Sequence, residues 1–234
     1  MLLELADVHT FYGRAHILHG LSLRVARGEV VALLGRNGAG KSTTLRTTCG
    51  LVRAARGSVR FAGRDITSLP SHSIARLGLG YVPEDRRVFA DLTVEENLVV
   101  GRQPARPDAP YWDHARLVAL FPKLDELRGR LAGNLSGGEQ QMLTIARTLM
   151  GNPSCLLLDE PSEGLAPVVV DEMAETVVRL KGEGLAVLLS EQNLRFATRV
   201  ADRACVIEKG HLRYEGTIAD LEADERVRRE YLAV

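Results

Sequence analysis

The chain has 234 residues, with 30 Lys and Arg against 30 Asp and Glu, so its formal net charge is zero. Hydrophobic residues make up 45% of it and charged residues 26%, the balance of a globular protein with a sizeable core. Zero net charge argues against a protein that works by neutralising nucleic-acid phosphates, which takes a basic excess. The longest charge-free stretch, Thr148 to Leu158, contains Pro153 and falls well short of the ~20 apolar residues that span a bilayer. The amino terminus, MLLELADVHT, carries acids early and lacks the basic-then-apolar order of a secretory signal. Cys49, Cys155 and Cys205 are odd in number, far apart and in no metal spacing, so they read as small buried hydrophobes in a reducing compartment.

The first third reads as short strands with turn punctuation. Leu2 to Val8, Ile17 to Val25 and Glu29 to Gly35 are apolar and β-branched, with a tight turn at Arg27-Gly28-Glu29. A Gly-rich loop and a helix follow, then strands at Ser58 to Ala62 and Gly78 to Pro83. From about Arg86 to Met150 the helical period dominates, so this segment reads as a mainly helical insertion. Thr93 with Glu96 forms a capping box, and a Pro- and charge-rich interruption runs from Arg102 to Pro110. The last third alternates strand and helix, with strands at Cys155 to Leu158, Leu185 to Ser190 and Ala204 to Glu208. Unbroken apolar strands separated by helices predict a parallel sheet covered on both faces.

Three motifs carry chemistry. Gly35-Arg36-Asn37-Gly38-Ala39-Gly40-Lys41-Ser42 directly follows the apolar strand Val30 to Leu34 and opens a helix, the context that a phosphate-binding loop requires. Its glycines let backbone N–H groups turn inward around phosphate oxygens, and the helix start adds positive potential. Lys41 would reach the β- and γ-phosphates and the Ser42 hydroxyl would ligate Mg²⁺. Further on, Cys155-Leu-Leu-Leu-Asp159-Glu160-Pro161 is a buried strand ending in two acids, suited to Mg²⁺ at Asp159 and water activation at Glu160. Finally, Leu135-Ser136-Gly137-Gly138-Glu139-Gln140-Gln141 opens an amphipathic helix and offers an anion site at its N-terminus.

In this order the three motifs resemble the ATP-binding cassette (ABC) ATPases, and the resemblance covers nearly the whole chain. It implies an α/β fold: a P-loop NTPase core with a mixed, mainly parallel sheet, an N-terminal antiparallel β subdomain and an inserted helical subdomain. The chain then divides as one domain, 1–234, with a nucleotide-binding core of 1–85 and 151–234 and a helical insertion of 86–150. The resemblance extends nucleotide binding to Thr43 and to Tyr12, an aromatic 23 residues before Gly35 that would stack on adenine. It also implies two cassettes facing head to tail, so that the family's signature motif, here Ser136, Gly137, Gly138 and Glu139, acts on ATP held by a partner chain.

Three positions depart from the superfamily pattern. Glu84 stands where most cassettes carry Gln, Gln192 where most carry His, and Ala166 where most carry Asp. Glu84 brings a negative charge towards Mg²⁺, while Gln192 keeps a neutral donor that cannot become cationic. Together with VPE-x-RRVF, LTVEENL, SGGEQQML, EPSEGLAP and SEQN, these departures resemble the shorter ATPase of branched-chain amino-acid importers. Relatives serving urea and short amides are the alternative, and they typically keep Gln at the Glu84 position. The resemblance implies a different second ATPase subunit, two transmembrane permease subunits and an extracytoplasmic binding protein, with no nucleic acid. It places the chain peripherally on the cytoplasmic face of the inner membrane, homodimeric when isolated, with Val88 and Phe89 in a docking groove. Two other readings compete: a soluble cassette acting on DNA or ribosomes, and a nucleotide switch that binds without hydrolysis.

Overall fold

The computed structural model describes residues 1–107 and 109–232; Asp108, within the expected interruption, lies outside them. The chain opens with a hairpin of β1 (Leu3–Tyr12) and β2 (Ala15–Val25), followed by β3 (Val30–Leu34) and α1 (Lys41–Thr48). Next come β4 (Ala54–Phe61), β5 (Arg64–Asp65), α2 (Ser71–Arg76) and β6 (Leu79–Val82). The middle supplies α3 (Val94–Gly101), α4 (His114–Leu120), α5 (Pro122–Glu126) and α6 (Gly137–Leu149). The last third runs β7 (Cys155–Asp159), α7 (Pro167–Gly182), β8 (Ala186–Glu191), α8 (Leu194–Val200), β9 (Arg203–Glu208) and β10 (His211–Thr217), before short terminal helical turns. Among the described residues, no helix is long and apolar enough to cross a membrane.

Two sheets result. One is antiparallel, in the order β2-β1-β4-β5; the other runs β10-β9-β3-β8-β7-β6 and is parallel except for β10. The parallel strands are apolar without a break because both faces are covered, and their two-residue period divides them between two cores. Val30, Ala32 and Leu34 of β3 face the core shared with α6 and α7, while Val31 and Leu33 face the antiparallel sheet. All three cysteines lie in this second core, where burial pushes each thiol up to about 12.

Parallel strands deliver their carboxyl ends to a single edge, where ligands bind in open α/β sheets. Here β3 ends in the Gly-rich loop, β6 leads to Glu84, β7 ends at Asp159 and β8 at Glu191. The loop after β6 is anchored by the fully buried Asn97, whose amide bonds both the N–H and the C=O of Phe89 at 3.0 Å. Its neighbour Thr93 caps α3 as expected, paired with Glu96 in both directions.

The strand β10 escapes the sequence reading because it is an edge strand with no fully buried residue. It forms a hairpin with β9 through Lys209-Gly210, both at positive φ (48° and 77°), as a tight two-residue turn requires. Gly210 sits where no side chain fits, since a Cβ would collide with the Ile17 carbonyl. Its C=O accepts from His19 N–H and its N–H donates to Ala39, tying β2, β10 and the Gly-rich loop together.

Along this seam His9, His16, His19 and His211 stack in sequence, with ring centroids 5.3, 3.8 and 4.7 Å apart, and Phe11 lies 4.0 Å from His16. Partial burial, then the neighbouring His19, holds the His16 pKa below its ordinary 6.5. A histidine with a lowered native pKa binds protons less readily folded than unfolded. Its stability contribution is therefore complete above about pH 6.5 and declines as pH falls below that value. Thermal melting should drop between about pH 7 and pH 5.5, and His16→Gln should flatten that drop. Identical pH slopes for the two proteins would refute it.

Candidate functional site

The loop after β3 wraps the amino end of α1. Gly38 and Gly40 adopt φ of 77° and 113°, values that L side chains rarely reach. Asn37, Gly38, Gly40, Lys41, Ser42 and Thr43 line a cavity of about 390 Å³ together with Ile17, Glu84, Glu160 and Glu163. The phosphate-loop motif and Glu160, 118 to 125 residues further along the chain, thus meet in one place.

On its floor Lys41 Nζ lies 3.0 Å from Glu160 Oε1, with the two residues only 4% and 6% exposed. The ammonium also donates to the carbonyls of Gly35 at 2.8 Å and Arg36 at 3.2 Å. Gln192 Nε2 donates to Glu160 Oε2 at 3.2 Å, so the carboxylate has a donor on each oxygen. Glu160 is held at φ 45°, an uncommon conformation for a non-glycine residue, by its N–H bonding to both O and Oγ of Ser190 at 3.1 Å. The strained backbone aims the carboxylate across β8 at the loop after β3.

Asp159 is fully buried one residue earlier and is not part of the cavity lining. Ser190 Oγ donates to its Oδ1 at 2.7 Å and Tyr81 Oη to its Oδ2 at 2.9 Å. Tyr81 in turn sits against Arg46 of α1, whose guanidinium is pushed to a higher pKa, chiefly by its own hydrogen bond to Tyr81. Glu191, raised by burial, receives Ser162, Gln192 and Asn193 N–H groups and so joins the turn after β7 to the turn after β8.

Other expected residues lie apart from the cavity. Tyr12 is half-exposed at the end of β1 and contacts Arg46, while Ile17 on the adjoining strand reaches the cavity. Ser136 to Glu139 open α6 away from it. There Ser136 Oγ and N–H both donate to Glu139 Oε2 at 2.8 Å, and that backbone bond holds the Glu139 pKa below its ordinary value. The two glycines serve close packing: a Cβ on Gly137 would press on the Arg86 guanidinium, and one on Gly138 on Val169 of α7. Phe89 lies under the Arg147 guanidinium and, with Leu51, Tyr81 and Val100, lines a groove of about 530 Å³; Val88 instead packs inward on the core.

Residues 18–163 match the family model described as ABC transporter. The chain is 46% identical over 231 residues, 99% of both chains, to the high-affinity branched-chain amino acid transport ATP-binding protein BraG of Pseudomonas aeruginosa. It is 36% identical to the lipopolysaccharide export system ATP-binding protein LptB of Escherichia coli, over 94% of this chain and 92% of that one. Among solved structures, the ADP conformation of an ATP-binding cassette superposes with a TM-score of 0.84 at 28% identity, covering 97% of each chain.

The bond from Ser190 to Asp159 is buried and charge-assisted, and its loss leaves one carboxylate oxygen without that donor. Ser190→Ala should lower unfolding free energy by about 2 kcal/mol in urea titration. A change within error of zero would show that the hydroxyl contributes nothing there.

Proposed function

This chain belongs to the ABC transporter family as one of its ATP-binding cassettes, and from that premise we propose that it is the ATPase subunit energising import of branched-chain amino acids through a membrane permease. The meeting of Lys41 and Glu160 on the cavity floor carries the ATPase reading. The full-length likeness to BraG, whose name states branched-chain amino acid transport, supports the cargo.

In this reading ATP competes for an ammonium whose present partners are two carbonyls and one carboxylate. The β- and γ-phosphates draw Lys41 away, because a charge-assisted bond to phosphate outweighs those to carbonyls. Backbone N–H groups of Gly38, Gly40, Lys41, Ser42 and Thr43 cradle the phosphates while Tyr12 stacks on the adenine; the Ala39 N–H is bonded to the Arg36 carbonyl at 3.1 Å and holds the turn of the loop. Released from Lys41, Glu160 takes the proton of the water that attacks the γ-phosphorus. Gln192 steadies that carboxylate and offers the γ-phosphate a neutral donor.

Mg²⁺ accompanies the nucleotide. Ser42 and Glu84 line the cavity and Asp159 stands behind them, an all-oxygen donor set suited to a hard cation. Among the described residues, no three His, Cys, Asp or Glu side chains form a metal-holding group, so phosphate oxygens and water would complete the shell. When bound, the ion would offset phosphate charge during transfer.

We take 1–85 and 151–234 as the nucleotide-binding core and 86–150 as the helical insertion. Two cassettes close head to tail, with a second, different ATPase subunit in the importer and a second copy of this chain in isolation. Ser136 to Glu139 then meet ATP on the partner, where the N–H groups that open α6 face its γ-phosphate. Two permease subunits dock at the groove around Phe89, an extracytoplasmic binding protein delivers the solute, and the chain sits peripherally on the cytoplasmic face of the inner membrane.

Glu160→Gln should retain ATP binding, lose turnover by about 10²-fold or more, and accumulate as an ATP-held dimer on gel filtration. Lys41→Ala should instead weaken ATP binding itself. Near wild-type hydrolysis by Glu160→Gln would remove Glu160 from the role of base. Ser136→Arg sets a bulky side chain where the partner's phosphate docks. Isolated-chain ATP affinity should persist while nucleotide-driven dimerisation is lost; the opposite pattern would place the signature on the chain's own nucleotide.

A further inference from the structure

We propose that Arg86 is a further catalytic residue of the ATPase, a guanidinium that joins the signature in binding the γ-phosphate of ATP held by the partner cassette. This rests on the reading of Ser136 to Glu139 as the signature that meets that ATP.

Arg86 lies two residues beyond Glu84 in the loop after β6, and its half-buried side chain is lodged between two glycines. A Cβ on Gly137, the first residue of α6, would stand 2.5 Å from its Nη1. One on Gly164, in the turn after β7, would stand 3.8 Å from its Nη2. The guanidinium is therefore beside the amino end of the signature helix, where backbone N–H groups already favour an anion. It is absent from the lining of its own chain's phosphate cavity, so it is not placed for the nucleotide that Lys41 binds.

Among the described residues, no acceptor bonds the Arg86 side chain. The adjacent acid is already engaged: Asp85 receives Arg87 Nε on both oxygens, at 2.9 and 2.8 Å. A guanidinium partly withdrawn from water without an acceptor is destabilising until a ligand supplies one. The backbone is strained to present it. Arg86 sits at φ 60°, fixed by Thr144 of α6, whose Oγ1 donates to the Arg86 carbonyl at 2.5 Å. Arg86 and the signature thus share one anchor.

A guanidinium offers paired N–H donors that match phosphate oxygens and keeps its charge at any working pH. Across the head-to-tail interface it adds a cation to the neutral N–H groups of the signature and holds the γ-phosphate oxygens through transfer. It forms no bond to phosphorus and gives up no proton. Lys41 supplies a cation from one chain and Arg86 from the other, so the γ-phosphate is clamped from both sides only when the cassettes close.

The test uses the full chain carrying Arg86→Met, Arg86→Lys or Arg86→Ala. It measures Mg²⁺–ATP hydrolysis, isolated-chain ATP affinity, melting temperature and, in the Glu160→Gln background, ATP-driven dimerisation on gel filtration. Arg86→Met removes the charge and keeps much of the packing. It should lower kcat about 10²-fold or more and weaken dimerisation, with isolated-chain ATP affinity unchanged. Arg86→Lys should recover part of the rate, since it restores the charge without the fork. Free guanidinium ion, at concentrations that leave the melting temperature unchanged, should accelerate Arg86→Ala and not the wild type. Wild-type kcat and dimerisation in Arg86→Met, beside a Ser136→Arg chain that cannot dimerise, would overturn the role of Arg86 and leave the signature reading intact. Slow variants that neither lysine nor guanidinium ion recovers would overturn it in favour of a structural role. Loss of ATP affinity in isolated Arg86→Met would overturn its action across the interface. Dimerisation retained by Ser136→Arg would overturn the signature reading and Arg86 with it.

Discussion

The ion pair between Lys41 and Glu160 is the contact around which the site is built. Removing two charges from water is costly, and the mutual attraction offsets that only when the remaining donors and acceptors are also satisfied. Here they are: two backbone carbonyls complete the ammonium and Gln192 completes the carboxylate. The strand order makes the contact possible. With β8 between β3 and β7, Ser190 pairs in register with Asp159 and fixes Glu160 from beneath, letting it reach over β8. An anion that takes over Lys41 exchanges one ionic partner for another, so the cavity opens to phosphate without leaving the ammonium buried and unpaired.

Much of this was legible in the sequence because the decisive residues fall in contiguous runs. Gly35 to Ser42, Asp159-Glu160 and Ser136 to Glu139 each announce themselves within a few positions, and the strands flanking them are unbroken and apolar. What stayed hidden was assembled through space. Tyr81 and Ser190 converge on Asp159 from separate strands, and no local pattern marks a Tyr or Ser at a strand end as a carboxylate partner. Glu163 lies in the EPSEGLAP run, yet its place on the cavity wall depends on a turn that the sequence does not display. The strand His211–Thr217 was missed because an exposed edge strand carries little of the apolar signal on which strand recognition depends. The close approach of Gly138 to Val169 of α7 likewise depends on packing that the local sequence does not display.

The departures at Glu84 and Gln192 share a physical theme. Glu84, Glu160 and Glu163 face Lys41 in one cavity, an acidic excess for a place that receives a polyanion. Such a cavity favours a nucleotide that arrives with its own cation. A neutral Gln192 suits this arrangement, since a donor without charge can steady Glu160 without competing with Lys41 for it.

The loop carrying Glu84 also ties the cavity to the signature helix. Arg86 and Arg87 both sit at positive φ, 60° and 45°, a conformation that persists in non-glycine residues only when the surroundings hold it. The hold comes from α6: Thr144 Oγ1 donates to the Arg86 carbonyl at 2.5 Å, and Arg147 Nη2 to the Arg87 carbonyl at 2.7 Å. Asn97 of α3 grips the same loop at Phe89, and Arg147 reaches Asn97 Oδ1 at 3.2 Å. One side of the loop therefore faces the phosphate cavity through Glu84, the other the apolar groove through Phe89, and its middle is bonded to the helix that Ser136 caps. The positive-φ residues that follow Glu84 and Asp85 are thus fastened to α6 through both of their carbonyls. Through these bonds the residue that faces the phosphate cavity, the helix that Ser136 caps and the residue that lines the groove share one fastened loop.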